Sequence, residues 1–360
     1  MAEKILMKGN EAIAYGAIDC GADGYFGYPI TPQSEVMETL MIKKPWETTG
    51  MVVLQAESEV ASINMVYGGA GAGKRVMTSS SSPGFSLMQE GMSYLAGAEL
   101  PCLIVDVMRG GPGLGTIQPS QGDYFQSCKG GGHGDYKNIV LAPASPQDMY
   151  DFVGEAFDLA FKYRNPAMIV SDGVIGQMME KIELKEEKRP RFTDEEIQKN
   201  FSSWATIGKT KDRDYNIITS LALQPEVMEN FNIKLQKKYK TIEENEVRFS
   251  TYKADNAEYL LIGFGCMYRI GQAVVDIARE NGIKLGLLRP ITLYPFPTKA
   301  IQKFVPQLKN IMTIELNAGQ MVEDVRLAVN GKIPVSFYGR QGGMIPSPEE
   351  IYEAFLKTIK

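Results

Sequence analysis

Pro101-Cys-Leu-Ile-Val-Asp-Val-Met-Arg109-Gly-Gly111 decides the fold. The apolar run is too short for a buried helix, and it is closed by an arginine and two glycines, so it reads as a strand covered on both faces. The same pattern recurs on either side. Strands are predicted at Ala22 to Tyr28, Met51 to Gln55, Arg75 to Ser79, Asn138 to Ala142 and Ala167 to Ser171. Helices at Glu11 to Cys20, Thr31 to Ile42, Glu57 to Ala72, Met88 to Ala98 and Pro146 to Tyr163 lie between them. Strand and helix in alternation mean a parallel sheet with helices on both faces, an α/β fold. This first unit spans residues 1–182. Residues 183–256 are charged and poorly periodic and read as a connector carrying a surface helix. Residues 257–360 alternate again and form a second, smaller α/β unit, with strands at Tyr259 to Gly263, Lys284 to Leu288, Asn310 to Glu315 and Val335 to Tyr338.

The 360 residues suit about two domains. Composition narrows the function. Lys and Arg number 38 against 43 for Asp and Glu, without long blocks of one sign, which argues against a nucleic-acid surface. No stretch approaches a membrane span, and the N-terminus lacks the pattern of a signal peptide, so a cytoplasmic location is expected. The four cysteines (Cys20, Cys102, Cys128, Cys266) are far apart and never in a Cys-x-x-Cys pair, leaving an iron–sulfur cluster or structural zinc without its usual ligand spacing. His133 is the single histidine; no partnered nucleophile accompanies it.

Several motifs invite chemistry. Gly68 to Lys74 imitates a phosphate-binding loop, but Arg75 stands where a hydroxyl is needed, and the loop follows a helix and precedes a strand. It reads as a glycine-rich helix end. Gly263-Phe-Gly265 begins like a dinucleotide fingerprint, yet Tyr268 occupies the third glycine position. Thr31-Pro32 is expected to open a helix, threonine as cap and proline in the first turn, at a strand end where anions are held. Glu57 is expected to begin the next helix, with Glu59 two residues on. Arg109 stands at the carboxyl edge of its strand beside two glycines, a carboxylate-binding arrangement, and the long glycine-rich loop to Gly134 follows.

Tyr28-Pro-Ile-Thr-Pro-Gln-Ser34, Gln55-Ala-Glu-Ser-Glu59, Thr78-Ser-Ser-Ser-Ser-Pro-Gly84 and Met108-Arg-Gly-Gly-Pro-Gly-Leu-Gly115, in that order, resemble the 2-oxoacid:ferredoxin oxidoreductases. The similarity is to the subunit carrying the pyrimidine-binding domain of thiamine diphosphate enzymes. Leu288-Arg-Pro-Ile-Thr-Leu-Tyr-Pro-Phe-Pro297 and Glu315-Leu-Asn-Ala-Gly-Gln320 extend it to a second domain similar to the C-terminal domain of transketolase. The resemblance implies that Glu57 hydrogen-bonds N1′ of the aminopyrimidine as a buried carboxylate, that Thr31 contacts the oxoacid, and that Arg109 pairs with its carboxylate, as in the pyruvate-specific members.

The Gly-Asp-Gly triplet that introduces the Mg²⁺ and diphosphate ligands is missing. The resemblance therefore implies half an active site, with thiamine diphosphate shared with a diphosphate-binding partner subunit. That partner would bring Mg²⁺ and a [4Fe-4S] cluster. A ferredoxin-like subunit, a further oxidoreductase subunit, ferredoxin and coenzyme A as co-substrate complete the expected system. The loop after Arg109 offers only Lys129 and His133 as a second cation, while Phe85, Met88 and Phe125 are apolar neighbours in sequence. The chain looks most like the branched-chain, 2-oxoisovalerate type. A 2-oxoglutarate enzyme, a non-catalytic assembly subunit and a P-loop protein dependent on Lys74 are the alternatives.

Overall fold

The computed structural model describes residues 4–209, 211 and 213–359. Its strands are β1 (Lys4–Lys8), β2 (Gly24–Gly27), β3 (Val52–Gln55), β4 (Val76–Ser80), β5 (Cys102–Met108), β6 (Ile139–Leu141), β7 (Pro166–Asp172), β8 (Met179–Glu183), β9 (Phe249–Tyr252), β10 (Tyr259–Ile262), β11 (Leu285–Pro290), β12 (Thr292–Tyr294), β13 (Asn310–Glu315) and β14 (Val335–Gly339). Seven of them form one sheet in the order β12-β6-β7-β5-β4-β2-β3, with β12 antiparallel and the rest parallel. Every residue of β5 is buried, as an apolar strand at the centre of a doubly covered sheet must be. A five-stranded sheet, β14-β13-β10-β11-β9, forms the second core, and β1 pairs with β8.

Two strands cross the expected boundaries. β9, from the charged connector, closes the second sheet, and β12, from the C-terminal part, closes the first. The surface helix of the connector is Pro225–Asn245; its Lys238 lies between Glu99 and the carbonyl of Arg164, and burial lowers its pKa to about 8.

Helix starts differ from the sequence reading around the candidate site. Thr31 caps no helix: it sits in a turn in which Gln33 N–H bonds the Ile30 carbonyl, and the helix begins at Glu35. Asn10 and Gln177 both donate to the Pro32 carbonyl and fix that turn. Glu57 precedes its helix, which runs Glu59–Gly71, because the Ser58 hydroxyl accepts from Ala61 N–H and is the better cap. A short helix, Ser82–Leu87, precedes Gln89–Gly97. By contrast Pro146–Tyr163 coincides with expectation, Ser145 capping it and Pro146 at the first position.

Gln121 joins the two sheets. Its side chain donates to Asp172 of β7 and to the Phe264 carbonyl and accepts from Leu316 N–H; its backbone bonds Leu316 and Asn317. Asp172 also accepts from Cys266 N–H, so the Gly263-Phe-Gly265 turn is sealed by protein. Glu315, at the end of β13, accepts three backbone N–H groups from Gln320 to Val322. The long loop after β5 is thus held between the two cores.

Candidate active site

The carboxyl ends of β3, β2, β4 and β5 lie side by side, and each is followed by a residue with chemistry to offer. After β5, the Arg109 guanidinium donates to the carbonyls of Thr31 (2.9 Å) and Leu114 (3.0 Å). Thr31 and Arg109, separate in sequence, are therefore neighbours, with the threonine exposed beside a half-buried cation. Arg109 Nε is buried without a protein partner, so one edge of the fork is left for something else.

The carboxylates after β3 divide otherwise than expected. Glu57 is exposed, whereas Glu59 is only 6% exposed. Strand, serine cap and first helical turn put residue 59, and not residue 57, on the inward face. Gly84 makes room for it, since a Cβ there would fall 2.5 Å from Glu59 Oε1. The hydroxyls of Ser80 and Ser81 nearby in the chain are buried with no partner. A buried carboxylate beside orphaned hydroxyls fits the polar edge of an aminopyrimidine ring. Glu59 and this serine run are what the site adds to the sequence reading. Their signal was the cap preference of Ser58 and the hydroxyls of Thr78 to Ser82.

A second group lies beneath Arg109. Asp106 of β5 is fully buried and accepts from Ser82 N–H at 3.1 Å. Asp123 lies beside it, and burial together with that neighbour pushes Asp106 well above the usual carboxylate range. Asp123 also accepts from Ser82 Oγ and from Gln126 Nε2 (2.6 Å). Ser82 Oγ in turn accepts Arg109 N–H at 2.9 Å.

Other candidates fall elsewhere. Lys129 is paired with Asp324, and Lys74 with Asp194 at 2.9 Å in the turn after a glycine-rich helix end. Phe85 and Met88 are wholly inside the core. His133 is exposed and lines a cavity of about 580 Å³ with Ser93, Tyr94 and Phe231, apart from the residues above. The four cysteines are buried free thiols, and burial raises Cys20 to about 12. Among the described residues no three acidic, histidine or cysteine side chains are grouped to hold a metal ion.

A parallel sheet of this order, with a buried glutamate after one strand and a polar cradle after the next, is the pyrimidine-binding domain of thiamine diphosphate enzymes, here joined to a transketolase C-terminal-like unit. The chain belongs to the pyruvate flavodoxin/ferredoxin oxidoreductase family: residues 15–249 match its thiamine diphosphate-binding domain, and residues 257–351 match core domain II of pyruvate:ferredoxin oxidoreductase. It is 48% identical to ketoisovalerate oxidoreductase subunit VorB of Methanothermobacter thermautotrophicus, over 97% of this chain and 96% of that protein. To 2-oxoglutarate synthase subunit KorA of Methanocaldococcus jannaschii it is 36% identical, over 97% and 98%. The solved 2-oxoglutarate:ferredoxin oxidoreductase of Magnetococcus marinus, with 2-oxoglutarate, coenzyme A and succinyl-CoA bound, superposes with a TM-score of 0.87 at 27% identity, covering all of this chain and 66% of that one. A split-gene transketolase shares the fold (TM-score 0.57, 10% identity).

Proposed function

We infer that the chain is the pyrimidine-side subunit of an oxidoreductase converting a branched-chain 2-oxoacid of the ketoisovalerate type to its acyl-CoA, with ferredoxin as electron acceptor. The observation that carries this reading is the guanidinium of Arg109 bridging Thr31 and Leu114 with its Nε unspent. A cation so held can clamp a carboxylate, and the side chain next to it is apolar: Leu114 is 83% exposed on the loop tip, with Ile117 exposed beyond it. A 2-oxoglutarate enzyme needs a second cation for the distal carboxylate, and Lys129 is already paired with Asp324. The two VorB relatives point the same way. The 2-oxoglutarate reading draws support from the KorA relatives.

Thiamine diphosphate, when bound, supplies the carbon nucleophile for the oxo carbon and holds the electrons freed on decarboxylation. In this chain Glu59 would share a proton with a nitrogen of the aminopyrimidine ring, a task suited to a carboxylate shielded from water. Ser80 and Ser81 would satisfy the ring edge, and Arg109 with Thr31 would orient the oxoacid. Glu57, to which the resemblance assigns that proton, is exposed in this chain.

Mg²⁺, the diphosphate ligands and [4Fe-4S] clusters would come from a diphosphate-binding partner subunit and a ferredoxin-like subunit, with a further oxidoreductase subunit completing a cytoplasmic complex. Among the described residues no helix is long and apolar enough to cross a membrane. The test is to purify the complex, identify the co-purifying chains, and assay acyl-CoA formation with a panel of 2-oxoacids. Preference for 2-oxoisovalerate over 2-oxoglutarate is expected; the reverse order would return the chain to the alternative.

A further inference from the structure

We propose that Asp123 and Asp106 are positioning residues of the oxoacid site: two buried carboxyl groups that meet on Ser82 and through it hold the backbone of Arg109. The inference rests on the reading of Arg109 as the carboxylate clamp.

The geometry is a short chain of bonds with one direction. Asp123 takes Ser82 Oγ–H and Gln126 Nε2–H. With its proton directed to Asp123, Ser82 Oγ offers a lone pair to Arg109 N–H. Asp106 has one oxygen on Ser82 N–H, and its other oxygen, Oδ2, has no donor. Two buried carboxyl groups held on one serine oppose each other when both are charged, and burial with Asp123 beside it raises Asp106, which favours a proton on its donorless oxygen. Arg109 lies three residues along β5 from Asp106, and Asp123 lies within the loop that begins at Arg109. The pair therefore ties both ends of that loop's first half to the end of β4.

No cation faces the pair among the described residues. In the sheet Asp106 lies between Ser80 and Val170, neither of them charged. The Arg109 guanidinium is turned to the Thr31 and Leu114 carbonyls, Glu59 lies against Gly84, Lys129 is engaged by Asp324, and Asp172 accepts from Ile175 and Cys266. Nothing present would offset a second charge. When Asp106 loses its proton, two anions oppose each other, Ser82 is pulled from its place, and the clamp loosens. KM for every 2-oxoacid should accordingly rise on the alkaline side, while kcat changes less.

The experiment compares three variants of the intact complex. Asp106→Leu, which has the size but no donor, is expected to raise KM roughly tenfold at neutral pH. Asp106→Asn, which keeps a donor towards Asp123 and cannot ionise, is expected to recover most of that loss and to abolish the alkaline rise. Asp123→Ala should raise KM for all oxoacids alike. A second readout is independent of turnover: the infrared carbonyl stretch of a neutral carboxylic acid, present in the wild-type complex at neutral pH and missing from Asp106→Asn. Equal losses in Asp106→Asn and Asp106→Leu, wild-type KM in both, or no neutral-acid band in the wild type would each overturn the proposal. Arg109→Ala, assayed in parallel, separates the two levels. A loss there with no response at Asp106 and Asp123 overturns the positioning alone, whereas no loss at Arg109 overturns the clamp and with it the positioning.

Discussion

The seven-stranded sheet has two edges built in opposite ways. At one, β12 arrives from the C-terminal part and pairs with β6, Ala142 N–H bonds the Ile291 carbonyl, and Arg289 reaches across to the Ala142 carbonyl and to Asp148 at 2.6 Å. The three residues of β12 are buried there, and the edge of β6 is paired within the chain. At the other, β3 shows solvent Val52 and Leu54, 50% and 41% exposed, flanked by exposed Met41, Ile42 and Trp46 before it and Val60 after it. Thr31, Glu59, the serine run and Arg109 all follow strands in this open half. The difference teaches that the sheet closes one edge within the chain and leaves the other, beside the candidate site, apolar and open; an exposed apolar edge strand is a surface on which another strand can pair.

The sharpest way to break this comparison is at the open half. Glu59→Gln should lower oxoacid oxidation by roughly 10² to 10⁴, the contribution of a positioned acid–base group, in a complex that still assembles. Glu57→Gln should lose far less; the reverse order would restore Glu57 as the proton carrier. Arg109→Ala should cost about 2 to 4 kcal/mol in kcat/KM with every 2-oxoacid, and Arg109→Lys should recover part of it, an ammonium keeping the charge but not the planar fork. A loss confined to one oxoacid would move Arg109 to the side-chain pocket.

At the closed edge the expected effect is on folding. Arg289→Ala leaves Asp148 and a buried carbonyl without their partner and should destabilise the chain by about 2 to 3 kcal/mol, read as a lower denaturant midpoint at unchanged slope. Leu54→Ser at the open edge should change that midpoint by no more than about 0.5 kcal/mol yet reduce recovery of the complex. If Leu54→Ser unfolded the chain as Arg289→Ala does, the two edges would be alike.

The interiors of both sheets were readable because burial on both faces writes an unmistakable run, as in Cys102–Met108 of the first and Asn310–Glu315 of the second. Pro146–Tyr163 was readable because Ser145 and the proline mark its start. The three residues of β12 were not, lying between Pro290 and Pro295 with too little length for a period. The site was half legible. Arg109 and Thr31 announced themselves by strand ends and glycines. Which of the two carboxylates after β3 turns inward was not legible, because it depends on where the helix begins, and an acidic first turn looks the same either way. Asp106 and Asp123 gave no sign at all: an aspartate inside an apolar strand becomes interpretable only when its neighbour from the loop is known.

The closing strand also sets an order of events during synthesis. β12 leaves the ribosome roughly 150 residues after the strand it completes, a delay of some 8 to 30 seconds at ordinary elongation rates. Through that interval the nascent chain carries two naked strand edges, and only one of them is ever closed from within. Truncations ending in the connector therefore freeze the chain at its stickiest stage, and their insolubility would record a missing three-residue strand and not a failed first core.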